Sequence, residues 1–453
     1  MTNNEIIALV NEHLSSKIKF AVTDIDGILR GKIISKEKFL EIAESDLGFC
    51  DVIFGWDAND KCYDNIELTG WHTGYPDANA RIDLSTYREI PWNNQLPFFI
   101  ADFSFTGRSG MGLACPRTLL KGVKKKANEM GFSPVFSEEF EWFNFVGKPG
   151  ELAADQFANL EPLSPGMFGY SVLRPTLYQD YFNNLFDLLE QFNIGLEGLH
   201  TETGPGVYEG AIRYDEVVNA ADKAVLFKNS VKEIAYQHGI VASFMAKWNE
   251  QLPGCSGHLH QSLWDLSRGS NLFYTGDDRE PMSDLMKHYL AGVLYCMPEI
   301  MPMYAPTINS YKRLREGAWA PTTVSWGFDN RTVAARIIVG SEKSTRLEMR
   351  LPGADSNPYL AMAASLASGL YGIENKLELN ISATVGNAYA DKSLEMLPEN
   401  LGEATRRMKD SELASTLFGE GFVKHFCATR EWEWRAYAGA VTSWELKRYF
   451  EII

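Results

Sequence analysis

Three stretches of this sequence place ionisable side chains two residues apart, the spacing that puts them on one face of a β-strand. In EEFEWFNF, Glu139 and Glu141 project one way and Phe140 and Trp142 the other. In SGHLHQSLW, His258, His260 and Ser262 share a face opposite Leu259 and Leu263. In TRLEMRLPG, Arg346, Glu348 and Arg350 line one face and Leu347, Met349 and Leu351 the other. One such strand alone is usually the solvent face of an antiparallel sheet. Repetition across strands shifts that reading. ETGPGVYEG adds Glu202 and Glu209 on either side of a Gly-Pro-Gly turn. Carboxylates with an occasional imidazole are ligands for hard divalent cations, Mg²⁺ or Mn²⁺, rather than for a structural zinc. If these strands are neighbours, their like charges repel unless cations neutralise them, and two metal ions would do so.

Arginines at 313, 331, 336, 346 and 350 form the complementary set. A site rich in carboxylates needs so many guanidinium groups only if an anionic substrate binds there too. Phosphoryl transfer requires this pairing: metal on the phosphate oxygens, and arginine against the charge spread over the transferring group. The chain has no Walker A motif and no kinase glycine-rich loop. The stretch YKRLREGAWAPTT, residues 311–323, joins a cationic cluster to a tryptophan, Trp319, with Trp326 close behind. Such clusters are most often solvated surface.

The elements that must position these groups read as an α+β protein. A helix is expected over 5–15, then a strand-turn-strand in KFAVTDIDGILRGKIIS with Asp26-Gly27 at the turn. GWDANDKCYDNIELTGWHTGYPDANARID has too little periodicity for long elements. CPRTLLKGVKKKANEMG reads as a helix opened by proline. A boundary is expected between Phe105 and Gly110, dividing the chain into domains 1–105 and 106–453. The 453 residues are 45% hydrophobic and 23% charged, an ordinary globular composition. A net charge of −16 argues against nucleic acid or an anionic membrane as partner. Six scattered cysteines without a CxxC pair read as reduced thiols of a cytoplasmic protein. The start, MTNNEIIALVNEHL, reads as an amphipathic helix rather than a signal peptide, and no apolar run is long enough for a membrane span.

In combination and in order, EFEWFNF, ETGPGVYEG, SGHLHQSL, NSYKRL, DNR and RLEMRLPGADSNPYLAMAA resemble the glutamine synthetase superfamily, from about Lys19 to the C-terminal WELKRYF. The resemblance implies an N-terminal β-grasp domain and a catalytic domain whose curved antiparallel sheet is flanked by helices. It implies homo-oligomers of stacked rings with active sites between subunits. By motif, Glu141, Glu202 and Glu209 would hold one metal, and Glu139, His258 and Glu348 the other. Arg313 and Arg350 would grip the carboxylate of L-glutamate, with Gly254 beside it. Arg331 and Arg336 would stabilise the transferring phosphoryl group of ATP. Glu197, His260, Ser262, Lys343 and Arg346 match the nucleotide side.

Three departures bear on the second substrate. The Asp-Gly-Ser-Ser motif of ammonia-using members is absent, and FGWDAND stands in its place, with Asp57 as a substitute acid. Six residues after Arg313, where those members carry a glutamate, stands Trp319; Glu316 is the nearby acid that could replace it. An indole offers an apolar or cation–π face instead of a charge. Third, KSLEML carries Glu395 where some bacterial members have a modifiable tyrosine. The expected activity is therefore ATP-dependent ligation of glutamate to a primary organic amine, with ammonia as the alternative and a non-catalytic structural role as a further one. Trp56, Trp319 and Trp326 would wall the amine pocket. A polyamine would call for free acids such as Asp57, Asp60, Asp64 and Glu316.

Overall fold

The computed structural model describes residues 1–104, 110–277 and 279–453. The expected domain boundary at 105/106 lies outside the described residues. The first helix, Asn3–Glu12, starts earlier than expected because Thr2 and Glu5 form a reciprocal capping box, and it stops where His13 turns extended. Five strands follow: β1 (Lys17–Thr23), β2 (Leu29–Ser35), β3 (Leu47–Cys50), β4 (Asp77–Ile90) and β5 (Leu96–Phe103), in spatial order β2-β1-β5-β4-β3. The β1–β2 hairpin forms as expected, with Gly27 at φ +81°, a conformation that favours glycine. β1 and β5 run parallel, and the helix Lys36–Ile42 packs its Phe39 on Phe99 of β5.

The loop-like stretch 55–83 ends differently from expectation. Its last residues, DANARID, open the fourteen-residue β4, whose burial alternates along its whole length. The inward positions begin with Ala78 and Ala80, and alanine is a weak strand signal, so the period only becomes visible at Ile82 and Leu84.

A second, nine-stranded sheet carries the chemistry-bearing residues. It comprises β6 (Phe132–Val146), β7 (Leu196–Thr201), β8 (Val207–Ile212), β9 (Asp215–Glu216), β10 (Ile240–Ser243), β11 (Gly257–Asp265), β12 (Trp326–Phe328), β13 (Ala335–Ile338) and β14 (Arg346–Met349). The main path is β12-β13-β14-β11-β6-β8-β7, and β9 and β10 add to β6. Its pairs are antiparallel except β12–β13, which is parallel. The helices Val217–Gln237 and Pro358–Glu374 bury themselves behind it; the second is apolar on nearly every side and accordingly has almost no exposed surface. The expected α+β architecture, a small N-terminal β domain beside a sheet flanked by helices, is therefore present.

Alternation along β5 ties the two sheets together. Phe99 and Ala101 enter the core of the first sheet, and Phe98 and Ile100 enter the core of the second. Polar bonds reinforce the junction. Arg117, 2% exposed on the helix Pro116–Glu129, donates to Asp222 at 2.8 and 2.9 Å, to Asp83 at 2.9 Å and to Asp102 at 2.6 Å. Burial opposes its charge, but Asp222 and Asp102 hold the guanidinium well above its usual range. Arg117→Ala would leave the buried Asp222 carboxylate without its cation, while Lys121 still holds Asp83 and Asp102. The expected loss is about 3–5 kcal/mol of stability in chemical denaturation; an unchanged midpoint would contradict this assignment of the joint.

Candidate active site

Strand register assembles the ionisable residues row by row. Glu141 of β6 lies opposite Glu209 of β8, and Glu209 opposite His200 of β7. Glu139, one pleat along β6, lies opposite His258 of β11. His260 lies opposite Glu348 of β14, and Glu348 opposite Arg336 of β13. The apolar partners in each strand, from Phe140 and Trp142 to Leu259, Leu347 and Met349, are buried in the core. Burying that face fixes the register, and the register delivers the charges to the other face.

The crowding shows in the proton affinities. Burial and the neighbouring Glu139, Glu141 and Glu202 carboxylates push Glu209 up to about 12. Burial also raises Glu141, partly offset by the Ser256 N–H at 2.8 Å and by Arg313. Glu139 is held well below the carboxylate range in spite of burial, because it accepts from His260 Nε2 at 3.1 Å. Glu348, 2% exposed, is likewise desolvated yet held at about 2 by Arg350, His258, His260 and Arg336. Arg350 Nη1 reaches its Oε1 at 2.5 Å and Arg336 Nη1 its Oε2 at 2.7 Å, while His258 Nδ1 stands 3.4 Å from Oε1. Burial and the Arg350 charge keep His258 neutral, its pKa far below the usual imidazole value.

Two cavities meet at Glu139. One, of about 360 Å³, is lined by Glu139, Glu141, Glu202, Glu209 and His258 on its carboxylate side. Gly254, Arg313, Arg331, Arg350 and Trp319 complete its wall. The other, of about 220 Å³, is lined by Glu139 together with Glu197, His260, Ser262, Lys343 and Arg346, with Tyr214 and Trp264 offering ring faces. Sequence-predicted residues are thus brought together in two connected groups. Glu348 and Arg336 stand outside both linings, paired with each other, and Arg336 also pairs with Asp329. Gly254 is required where it sits: a Cβ would lie 2.5 Å from the Ala246 carbonyl and 3.0 Å from Cγ of Arg313. Arg313 is itself fixed by donating to the carbonyls of Leu351 at 2.9 Å and Arg350 at 3.1 Å.

The donor set fits a divalent cation. Nε2 of His258 and of His200 are buried without a hydrogen-bond partner among the described residues. Ligand atoms of His200, Glu202 and Glu209 lie within 4.8 Å of one another. His200 was not among the predicted ligands, although its position two residues before Glu202 continues the same alternation. Tyr170, stacked on His200 with ring centres 4.7 Å apart, lines the larger cavity and carries no sequence signal.

The aromatic wall differs from expectation. Trp326 is buried, donating its indole N–H to the Ile381 carbonyl at 2.7 Å, and Trp56 packs under Arg30 in the N-terminal domain. Neither lines the cavity; Trp319 does. Its side chain is 63% exposed and its φ is +58°, a left-handed conformation that costs a bulky residue strain. Packing therefore does not explain it. Glu316 is ion-paired with Lys392 at 2.8 Å and lines an outer groove instead of the cavity. Glu395 pairs with Arg407 at 3.0 Å. Among the described residues, no helix is long and apolar enough to cross a membrane.

The family described as glutamine synthetase, catalytic domain, matches residues 113–449. A Dictyostelium discoideum protein named type-1 glutamine synthetase 2 is 53% identical over 439 residues, 96% of this chain and 84% of its own. A Pseudomonas protein named glutamate–isopropylamine ligase is 38% identical over 447 residues, 98% of this chain and 97% of its own. Among solved structures, a GmaS/ADP complex superposes with a TM-score of 0.84 at 26% identity, covering 98% of this chain and 99% of that one.

The proton held by Glu209 would make the binding of a cation pH-dependent. A carboxyl raised to about 12 is protonated at neutral pH, and a cation must displace that proton. Mn²⁺ affinity, followed by electron paramagnetic resonance, should rise with pH between 6 and 8, by about tenfold per unit for one proton displaced. A flat profile would contradict the cation site.

Proposed function

The chain belongs to the glutamine synthetase family of ATP-dependent, C–N-forming glutamate ligases, and we propose that it joins the γ-carboxylate of L-glutamate to a primary organic amine. The observation that carries this reading is Trp319, bare at the wall of the cavity that holds Arg313 and Arg350. An indole there favours an amine with an apolar substituent. The acids that a second ammonium group would want are already engaged. Asp57 accepts the N–H groups of Asn59 and Lys61, both at 2.8 Å. Asp60 pairs with Arg30 at 2.7 Å, Asp64 with Arg435, and Glu316 with Lys392. Lys247, Lys312 and Arg315 line the outer groove at Trp319 and further disfavour a polycation.

In this reading ATP occupies the smaller cavity, and glutamate the larger, its α-carboxylate toward Arg313 and Arg350. A γ-carboxylate oxygen attacks the terminal phosphorus of ATP and ADP leaves, giving γ-glutamyl phosphate. The amine nitrogen then attacks the acyl carbon, phosphate leaves, and a proton passes to the carboxylates of the cavity. Phosphorylation supplies the leaving group that a free carboxylate lacks. Arg331 and Arg336 would meet the charge of the transferring group. Mg²⁺ or Mn²⁺ held by Glu141, Glu202 and Glu209, with His200 alongside, and by Glu139, His258 and Glu348 would offset the repulsion between two anionic reactants. Glu348 would exchange an arginine contact to take part. Neither cavity is lined by a residue of the N-terminal sheet. This supports active sites shared between subunits, a neighbouring subunit's N-terminal domain closing the amine side. The family resemblance adds a homo-oligomer of stacked rings, the scattered cysteines a cytoplasmic location, and the separate cores of the two sheets a division near 105/106.

The name carried by the Dictyostelium discoideum relative favours a second reading, ammonia as the nitrogen source. Phosphate release from ATP and glutamate, with ammonium set against a panel of primary amines, separates the two. Saturable turnover with an apolar amine and little with ammonium is expected; turnover confined to ammonium would overturn the proposal. Trp319→Glu should lower kcat/KM for the amine by about ten- to a hundredfold and raise that for ammonium, leaving the KM for glutamate near its original value. Unmoved amine preference would show that the indole takes no part.

A further inference from the structure

A groove of about 1040 Å³ lies outside the larger active-site cavity and shares Thr203, Pro253, Ala318 and Trp319 with it, so the two meet at the exposed indole. Three cations line it: Lys247, Lys312 and Arg315. Lys312 and Arg315 belong to YKRLREGAWAPTT, and Lys247 to the loop after β10. None of the three is ion-paired to an acid among the described residues; Lys312 rests over the Tyr437 ring, 5.4 Å from its centre. The acids of the lining are Glu250 and Glu316, and Glu316 is taken by Lys392 at 2.8 Å. One acid thus faces three cations, in a protein whose net charge is −16.

The cations are held together by their backbones. The Lys247 N–H donates to Asn309 Oδ1 at 2.8 Å, and Asn309 Nδ2 donates to the Lys247 carbonyl at 2.7 Å. That exchange ties the loop of Lys247 to the start of the short helix Ser310–Arg313, which carries Lys312. The Arg315 N–H donates to the Arg313 carbonyl at 2.9 Å, and the Arg315 carbonyl accepts from Ala318, next to Trp319, at 3.2 Å. Burial and the nearby Arg315 charge pull the Lys247 ammonium below its usual pKa. Like charges kept this close without an acid between them attract an anion.

A carbon chain lying on the Trp319 ring leads from the cavity into this groove. We infer that the amine substrate carries an anion at the far end of its chain, as an ω-amino carboxylate does, with its methylenes on the indole and its carboxylate among Lys247, Lys312 and Arg315. This rests on the reading of the site as a glutamate–amine ligase. The amino nitrogen forms the new C–N bond, the C–O bond to phosphate breaks, phosphate leaves with that electron pair, and the surplus proton of the amine passes to the cavity carboxylates. The distal anion takes no part in these bond changes, and the product is a γ-glutamyl amide ending in a carboxylate. A neutral alkylamine leaves the three cations unmet, and a diamine sets its second ammonium against them.

The test measures kcat/KM of the full-length enzyme, with ATP, glutamate and Mg²⁺, for β-alanine, γ-aminobutyrate and ε-aminohexanoate, each against the n-alkylamine of equal carbon number. At least one amino carboxylate should exceed its alkylamine by about tenfold at low ionic strength, and potassium chloride should shrink that advantage. Combining Lys247→Gln, Lys312→Gln and Arg315→Gln should bring the ratio close to one through the KM of the amino carboxylate, with alkylamine turnover reporting that the variant folds. Alkylamines equal to or better than every amino carboxylate would overturn the inference and leave the ligase reading standing. So would a triple variant that raises the KM for glutamate with either amine and leaves the ratio unchanged, since the cations would then serve glutamate. Turnover with ammonium and with no amine would overturn the underlying reading as well.

Discussion

Like charges forced together on one face of a sheet are the constraint on which the rest of this structure depends. Glu139, Glu141 and Glu209 cannot separate, because the strands that carry them are locked by the apolar residues on their other face. The molecule meets that repulsion in three ways. Arginines neutralise Glu348, and His260 Nε2 hydrogen-bonds to Glu139. Glu209 retains a proton. The Nε2 atoms of His200 and His258 have no hydrogen-bond partner among the described residues, with His200 Nε2 3.3 Å from Glu209 Oε1, and are free to act as donors to a cation. A site held in this state is prepared for positive charge and for an anionic substrate together. That is the electrostatic requirement for moving a phosphoryl group between two anions.

Much of the site was legible in the sequence because it is written on strands. A period of two turns a linear spacing into a shared face, so Glu139 with Glu141, His258 with His260, and Arg346 with Glu348 could be grouped before any coordinates. The order of motifs then supplied what spacing lacks, the pairing between strands far apart in the chain. What was missed has physical reasons. His200 sits in the alternation but before the motif that drew attention. Tyr170 reaches the cavity from a loop, where no period applies. Trp326 was grouped with Trp319 by proximity in sequence, yet it lies on β12 with its ring in the core. The inward alanines of β4 hid a long strand behind a loop-like composition.

Trp319 has the opposite character. Its loop fixes a left-handed backbone, Arg350 Nη2 lies 3.4 Å from its carbonyl oxygen, and its ring stands in solvent at the cavity wall. Nothing in the core needs that ring. A large apolar surface left exposed beside Arg313 and Arg350 is best understood through what it contacts during turnover. The acids that would serve an ammonium ion in its place are bound to lysine, arginine or backbone partners.

The choice of nitrogen nucleophile is therefore the claim on which the account stands. It is tested most directly by one reaction vessel containing ATP, glutamate, Mg²⁺, ¹⁵N-ammonium and isopropylamine at equal concentration, with the products separated by mass spectrometry. The account predicts γ-glutamylisopropylamide in large excess over labelled glutamine. Labelled glutamine as the main product would contradict it.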